Sequence, residues 1–209
     1  MVEMVVVLVI IGIMSAIVGS TLIAPRLYAA EDQTLKLIDL MREAQQRSLT
    51  QKTTMRVEIN STRRVIRLIN ENVRTNAGDD TILKTVPYVS DDVFIGVTPT
   101  NMTTTPVETV PILPVAFANG THPLNLGNQV VTMRYRSNGT VENAGTDAIG
   151  TNATATGATV YVWTKRPSDT SANPTVANVL RATTVFGSSG LTRLWKCAIA
   201  NNQCSNWTK

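Results

Sequence analysis

The chain has 209 residues, of which 43% are hydrophobic and 16% charged, and its formal net charge is +4. That length holds one ordinary globular domain plus one appended element and excludes two large domains. Two cysteines and a single histidine, His122, with no Cys-x-x-Cys and no Cys-x-x-Cys-His, leave too few ligands for a metal centre or an attached haem, so no metal or other cofactor is expected.

Residues 4–24 contain no charged side chain and include MVVVLVIIGIMSAIVG. At about 1.5 Å per residue such a helix spans roughly 30 Å, the thickness of a bilayer's hydrocarbon core. A secretory signal peptide would need a basic stretch before the apolar run and a small-residue cleavage site, and only Met1, Val2 and Glu3 precede it. The run therefore reads as a membrane-crossing helix.

Residues 27–50, LYAAEDQTLKLIDLMREAQQRSLT, switch to an amphipathic helical pattern without Gly or Pro. Leu37, Met41, Ala44 and Ser48 share one face, which Ile38 and Leu40 widen, and this stripe is expected to pack on the head. Asp32 with Lys36 and Glu43 with Arg47 stand four apart, acid first, each worth about 0.3 kcal/mol to the helix. Residues 1–52 taken as one helix would form a rod of roughly 75 to 80 Å. Gly12, Gly19 and Pro25 interrupt it. Pro25 removes a backbone donor and clashes with the carbonyl four residues earlier, so a kink or local melting is predicted there.

From Thr53 the period changes to two. TMRVEIN alternates Met55, Val57 and Ile59, Asn60-Ser61-Thr62 turns the chain, and RRVIRLIN follows, which is a β-hairpin signal. Further strands are predicted at 83–89, 93–97, 130–135, 159–164, 179–186 and 191–196. The domain division is thus an N-terminal helix, 1–52, and an antiparallel β-rich head, 53–209, an α+β class.

Stretches 98–128 and 138–157, rich in Thr, Asn, Gly and Pro, are predicted to be long surface loops. They carry Asn-x-Ser/Thr triplets at Asn101, Asn119, Asn138 and Asn152, which such composition produces by chance. The acids Glu71, Asp79, Asp80, Asp91 and Asp92 lack the spacing of a calcium loop and are expected to be solvated. Gly187-Ser-Ser-Gly190 is not the Gly-x-Ser-x-Gly of a nucleophile elbow, and it lies between predicted strands, so it reads as a hairpin turn and no catalytic residue is assigned.

After residue 160, Lys165, Arg166, Arg181, Arg193, Lys196 and Lys209 face only Asp169. Basic surfaces of this kind attract nucleic acid, although most are solubilising decoration. Cys197 and Cys204, flanked by Trp195 and Trp207, are close enough in sequence to form one disulfide, which points to an oxidising compartment.

The start MVEMVVVLVIIGIMSAI, running into an amphipathic helix and a β head, resembles type IV pilins and type II secretion pseudopilins over residues 1 to about 50. Within that family, MREAQQRSLTQKTTMRVEI followed by a hairpin, and the late RATTVFGSSGLTRLW, resemble the GspH/FimT group of minor pseudopilins and minor pilins. The resemblance implies a non-enzymatic subunit held in the inner membrane before assembly. It then enters an extracellular filament or periplasmic pseudopilus with further copies of itself and other pilins, through the pilus or secretion assembly machinery. Glu3 would take the role of the family's N-terminal glutamate, which pairs with a neighbouring subunit's amino group, and Gly12 and Pro25 would shape the filament-core helix. The family glutamate is the fifth mature residue, so two mature residues and a leader are expected upstream of Met1. A second reading, a minor pilin that binds DNA during transformation, assigns phosphate contacts to Arg193, Lys196 and Lys209 beside the cysteine loop.

Overall fold

The computed structural model describes residues 11, 24–72, 78–96, 116–145, 156–164, 180–200 and 203–208. Among the described residues one long helix, α1 (Ala24–Gln51), is followed by eleven strands: β1 (Thr54–Asn60), β2 (Val65–Glu71), β3 (Thr81–Pro87), β4 (Val93–Gly96), β5 (Ala118–Asn119), β6 (Gln129–Tyr135), β7 (Val141–Gly145), β8 (Ala158–Thr164), β9 (Arg181–Val185), β10 (Thr192–Ala200) and β11 (Gln203–Thr208). The class is α+β. The strands form two sheets in which every pair of neighbours is antiparallel. The first sheet runs β3-β2-β1-β6-β5 with β7 also on β6, and the second runs β11-β10-β9-β8-β4.

The helix packs on both sheets through the stripe its sequence encodes. Leu37, Met41, Ala44 and Ser48 are fully buried, with Leu40 and Ile38 beside them. Leu37, Leu40, Met41 and Ala44 meet Met55, Val57, Ile59, Ile66 and Leu68 of the first sheet and Val93, Ala158, Val160 and Val162 of the second in one cluster. These strand residues fall on alternate positions, as the period of two requires for one face of a sheet. On the helix's outer side Lys36 pairs with Asp32 at 3.0 Å and Arg47 with Glu43 at 2.8 Å. Lys52, with φ 56°, leaves the helix in the left-handed conformation that commonly ends one.

Two polar ties fix the helix further. Gln33 accepts from the Val89 backbone N–H at 2.7 Å, and Gln45 donates to Ser189 O at 2.7 Å in the β9–β10 turn. That turn is the Gly187–Gly190 stretch, closed by Gly190 N donating to Phe186 O at 2.7 Å. Gly190 has φ +67°, and a Cβ there would lie 2.5 Å from the Gln45 side chain, so both its backbone and its space demand glycine.

Several expectations need correction. Stretches 98–128 and 138–157, read as loops, contain β5 and β7, and β11, which contains the second cysteine, lies where no strand was predicted. Asn, Gly and Pro depress strand propensity locally, but pairing on β6 supplies the partner that propensity cannot register. Glu71 and Asp80, expected to be solvated, are buried, with side chains 3% and 2% exposed. Asp91 is exposed, as expected.

Among the described residues no helix is long and apolar enough to cross a membrane. Except for Ile11 and Ala24, the predicted membrane run 4–24 lies outside the described residues, as does the turn before Pro25 where a kink is predicted.

Candidate functional site

The C-terminal hairpin carries the residues that the sequence singled out. Cys197 on β10 and Cys204 on β11 form a disulfide, with Cα atoms 5.9 Å apart. The bond lies on the face of the second sheet that points away from the helix, buried with Tyr161, Trp163, Ala182, Trp195 and Trp207. Tyr161 and Trp207 stand at 6.0 Å in a tilted pair, and Phe94 and Trp163 stack at 6.1 Å. Trp195 satisfies its indole N–H on Thr184 Oγ1 at 3.0 Å, so this apolar face hides no unmet donor there.

Arg193 and Lys196 leave β10 on opposite faces. The Arg193 guanidinium lies 5.2 Å over the Phe186 ring, on the aromatic side. Lys196 turns to the helix and, with its cross-strand neighbour Arg181, grips Glu31 at 3.1 and 3.2 Å. Hydrogen bonds from Lys196 and then Arg181 hold the Glu31 carboxyl below its ordinary range. The two cations are thus not brought together into one phosphate-binding surface. Lys209, Glu3 and Gly12 lie outside the described residues, and Pro25 lies in the first turn of α1.

The most concentrated charge in the described protein lies on the far face of the first sheet, a site that no sequence pattern marked. Arg56 of β1 stands directly opposite Arg134 of β6, a like-charge pair that would repel if left alone. Glu71 of β2 resolves it, accepting from Arg56 Nη1 at 2.8 Å and from Arg134 Nε at 2.7 and 3.0 Å. The second Arg56 nitrogen donates to Asp80 at 2.8 Å. Asp80 also meets His122 Nε2 at 2.7 Å. Alongside, Glu58 accepts from Asn125 at 2.5 Å and lies 3.6 Å from Arg67, whose guanidinium donates to Leu124 O at 3.2 Å. Three guanidiniums against three carboxylates make the layer electroneutral if the imidazole is neutral.

The geometry keeps it so. The Leu124 N–H donates to His122 Nδ1 at 3.0 Å, which places the ring proton on Nε2, where it is donated to Asp80. Burial, followed by the nearby Arg56, pushes His122 down to about 4, while burial pushes Asp80 up against the pull of Arg56. Both ring nitrogens are committed to bonds within the fold. Among the described residues no three His, Cys, Asp or Glu side chains are arranged to hold a metal ion. What this arrangement can do chemically is hold a surface segment down, since each charge is answered by a neighbour.

The signal missed in sequence was numerical. Arg56, Glu58, Arg67, Glu71 and Arg134 all sit at the outward positions of strands whose inward positions are apolar, and their signs sum to nearly zero. Comparison with protein-family models, with curated proteins and with solved structures finds no match.

Proposed function

We infer that the chain is a structural subunit of a type IV pilus-like filament or type II secretion pseudopilus, joined to its neighbours through apolar N-terminal helices. The observation that carries this reading is the uncharged run 4–24, with Glu3 before it, leading directly into α1. Once Glu3 is drawn from the membrane edge into an apolar filament core its charge needs a cationic partner, and a neighbour's terminal amine would supply one.

The head supports the same reading. Three separate devices lock α1 to it: the apolar stripe, the Gln33 and Gln45 hydrogen bonds, and the Arg181–Glu31–Lys196 clamp. A helix so anchored at its C-terminal half would carry the head rigidly wherever the N-terminal half docks. Edge strand β3, which among the described residues pairs with β2 alone, carries Lys84, Pro87 and a bulge at Leu83, all of which discourage strand-to-strand association between heads at that edge. Assembly would then be left to the helices.

The test is to express the chain with its assembly machinery and compare sheared surface or periplasmic filaments from the parent and from Glu3→Ala. The parent chain should enter filaments, and Glu3→Ala should remain in the membrane fraction with its disulfide intact. A parent chain found only as free monomer in the presence of assembled filaments would overturn the reading.

A further inference from the structure

Residues 120–128 form a small closed loop over the ionic layer. Its neck is tied by Gly120 N to Asn128 O at 2.7 Å and Gly127 N to Gly120 O at 3.1 Å, and its interior by Asn125 N to His122 O at 2.9 Å. Leu126 on the loop is 73% exposed, whereas His122 and Asn125 are each 1% exposed and point into the sheet. Beside the neck and its continuation into β5 and β6, three inward contacts tie the loop to the layer beneath it. They are His122 to Asp80, Asn125 to Glu58, and Leu124 O to Arg67. Two of the three end on carboxylates and the first passes through the chain's only histidine.

We propose that loop 120–128 is an acid-released flap, closed at neutral pH by the His122–Asp80 contact and opened when that pair takes up a proton. A proton added to His122 must go to Nδ1, where it faces the Leu124 N–H, so a hydrogen bond becomes a donor-to-donor contact. The new cation is also buried in the ionic layer, where Arg56 and Glu58 of β1, Glu71 of β2 and Arg134 of β6 act on the ring and Asp80 of the turn before β3 is bonded to it, with Arg67 of β2 beside Glu58 and Asp79 beside Asp80. Asp80, its direct partner, is already shared with Arg56 and Glu71 is shared by two guanidiniums, so the added charge is only partly answered where it is buried. If the proton goes to Asp80 instead, Arg56 loses the charge of one of its two partners and the imidazole loses its anionic acceptor. The first route breaks the Leu124–Nδ1 bond inside the loop and the second weakens the His122–Asp80 contact, so both disfavour the closed loop. The depressed affinity of His122 for protons, with a value about 4, places the release between pH 6.5 and about 4.

Opening would uncover Arg56, Glu58 and Arg67 while leaving α1 and the second sheet in place, because none of their contacts runs through the loop. This inference is independent of the filament reading and stands or falls on the head alone. The experiment is amide hydrogen exchange on the full-length chain in detergent, corrected for intrinsic rates, at a series of pH values from 7 to 4. The amides of Leu124, Asn125, Gly127 and Asn128 should lose about tenfold protection or more across that range while those of α1 and β9 hold theirs. Unchanged protection in the loop, or loss in step with the whole head, would overturn the proposal. In His122→Gln the pH dependence of those four amides should disappear, and a variant that opens at the parent's pH would count equally against it. Should that variant not fold, the parent's imidazole resonances decide: ring protonation must coincide with loop opening, and a ring that protonates with the loop still protected refutes the flap.

Discussion

The two sheets share one helix and bury similar apolar faces against it, yet their far faces are covered by opposite chemistry. The first buries guanidiniums, carboxylates and one imidazole; the second buries tryptophans, tyrosine and a disulfide. An ionic layer gains little net stability over an apolar one, but it penalises the loss of any single member because the remaining charges stay buried. An aromatic layer tolerates change in proportion to the volume removed. The first sheet should therefore be brittle and pH-sensitive, and the second robust and indifferent to pH.

The largest effect should come from Arg56→Gln, which leaves Glu71 and Asp80 without one of their cations. A loss of about 4 kcal/mol is expected, read as a drop in the urea midpoint. A loss below about 1 kcal/mol would show that the layer is hydrated and the contrast between the sheets unreal. Next is Trp207→Ala, which removes an aromatic from both Tyr161 and the disulfide and should cost about 3 kcal/mol without altering the pH profile of stability.

The pH profile sharpens the comparison. The His122 value is lowered on folding from 6.5 to about 4, so its stabilising contribution is complete above pH 6.5 and is lost as pH falls towards 4. Asp80, raised on folding, works the other way and partly offsets it as the pair takes up its proton. A fall of about 2 kcal/mol between pH 6.5 and 4 is expected in the parent and its absence in His122→Gln. Replacing Cys197 and Cys204 together by Ser should cost about 2 kcal/mol through the short loop they close, and equally at either pH. The smallest effect belongs to Glu31→Gln. Because its carboxyl is held low by Lys196 and then Arg181, the clamp's contribution is present above the ordinary carboxylate range and lost as pH falls below it. The substitution should cost about 1 kcal/mol or less at pH 7 and should be screened by salt, whereas the Arg56 effect should not.

How much of this was legible in sequence follows the same division. The helix stripe at Leu37, Met41, Ala44 and Ser48 and the strands around Met55-Val57-Ile59 were readable because each repeats with the period of its own backbone. The disulfide was readable because so few residues separate the cysteines. β7 and β11 were not, since VENAG and QCSNWT show little apolar alternation and pair with the preceding strands through register shifts at Thr132/Met133 and Ala198/Ile199. The ionic layer was unreadable for a different reason. Arg56 and Glu58 look like the solvent side of a half-exposed strand, and nothing local says that residues 78–80 and 120–128 will cover them. Lys196 likewise looked free, and its partner Glu31 lies 165 positions away.

The most direct test of the filament reading is electron cryo-microscopy of sheared filaments from cells expressing this chain. The reading predicts helical density in the core for residues 4–24, continuous with α1, with Glu3 against a neighbouring subunit's terminus and the two-sheet head outside. Filaments that contain no copy of this chain, along their length or at their tip, would contradict it.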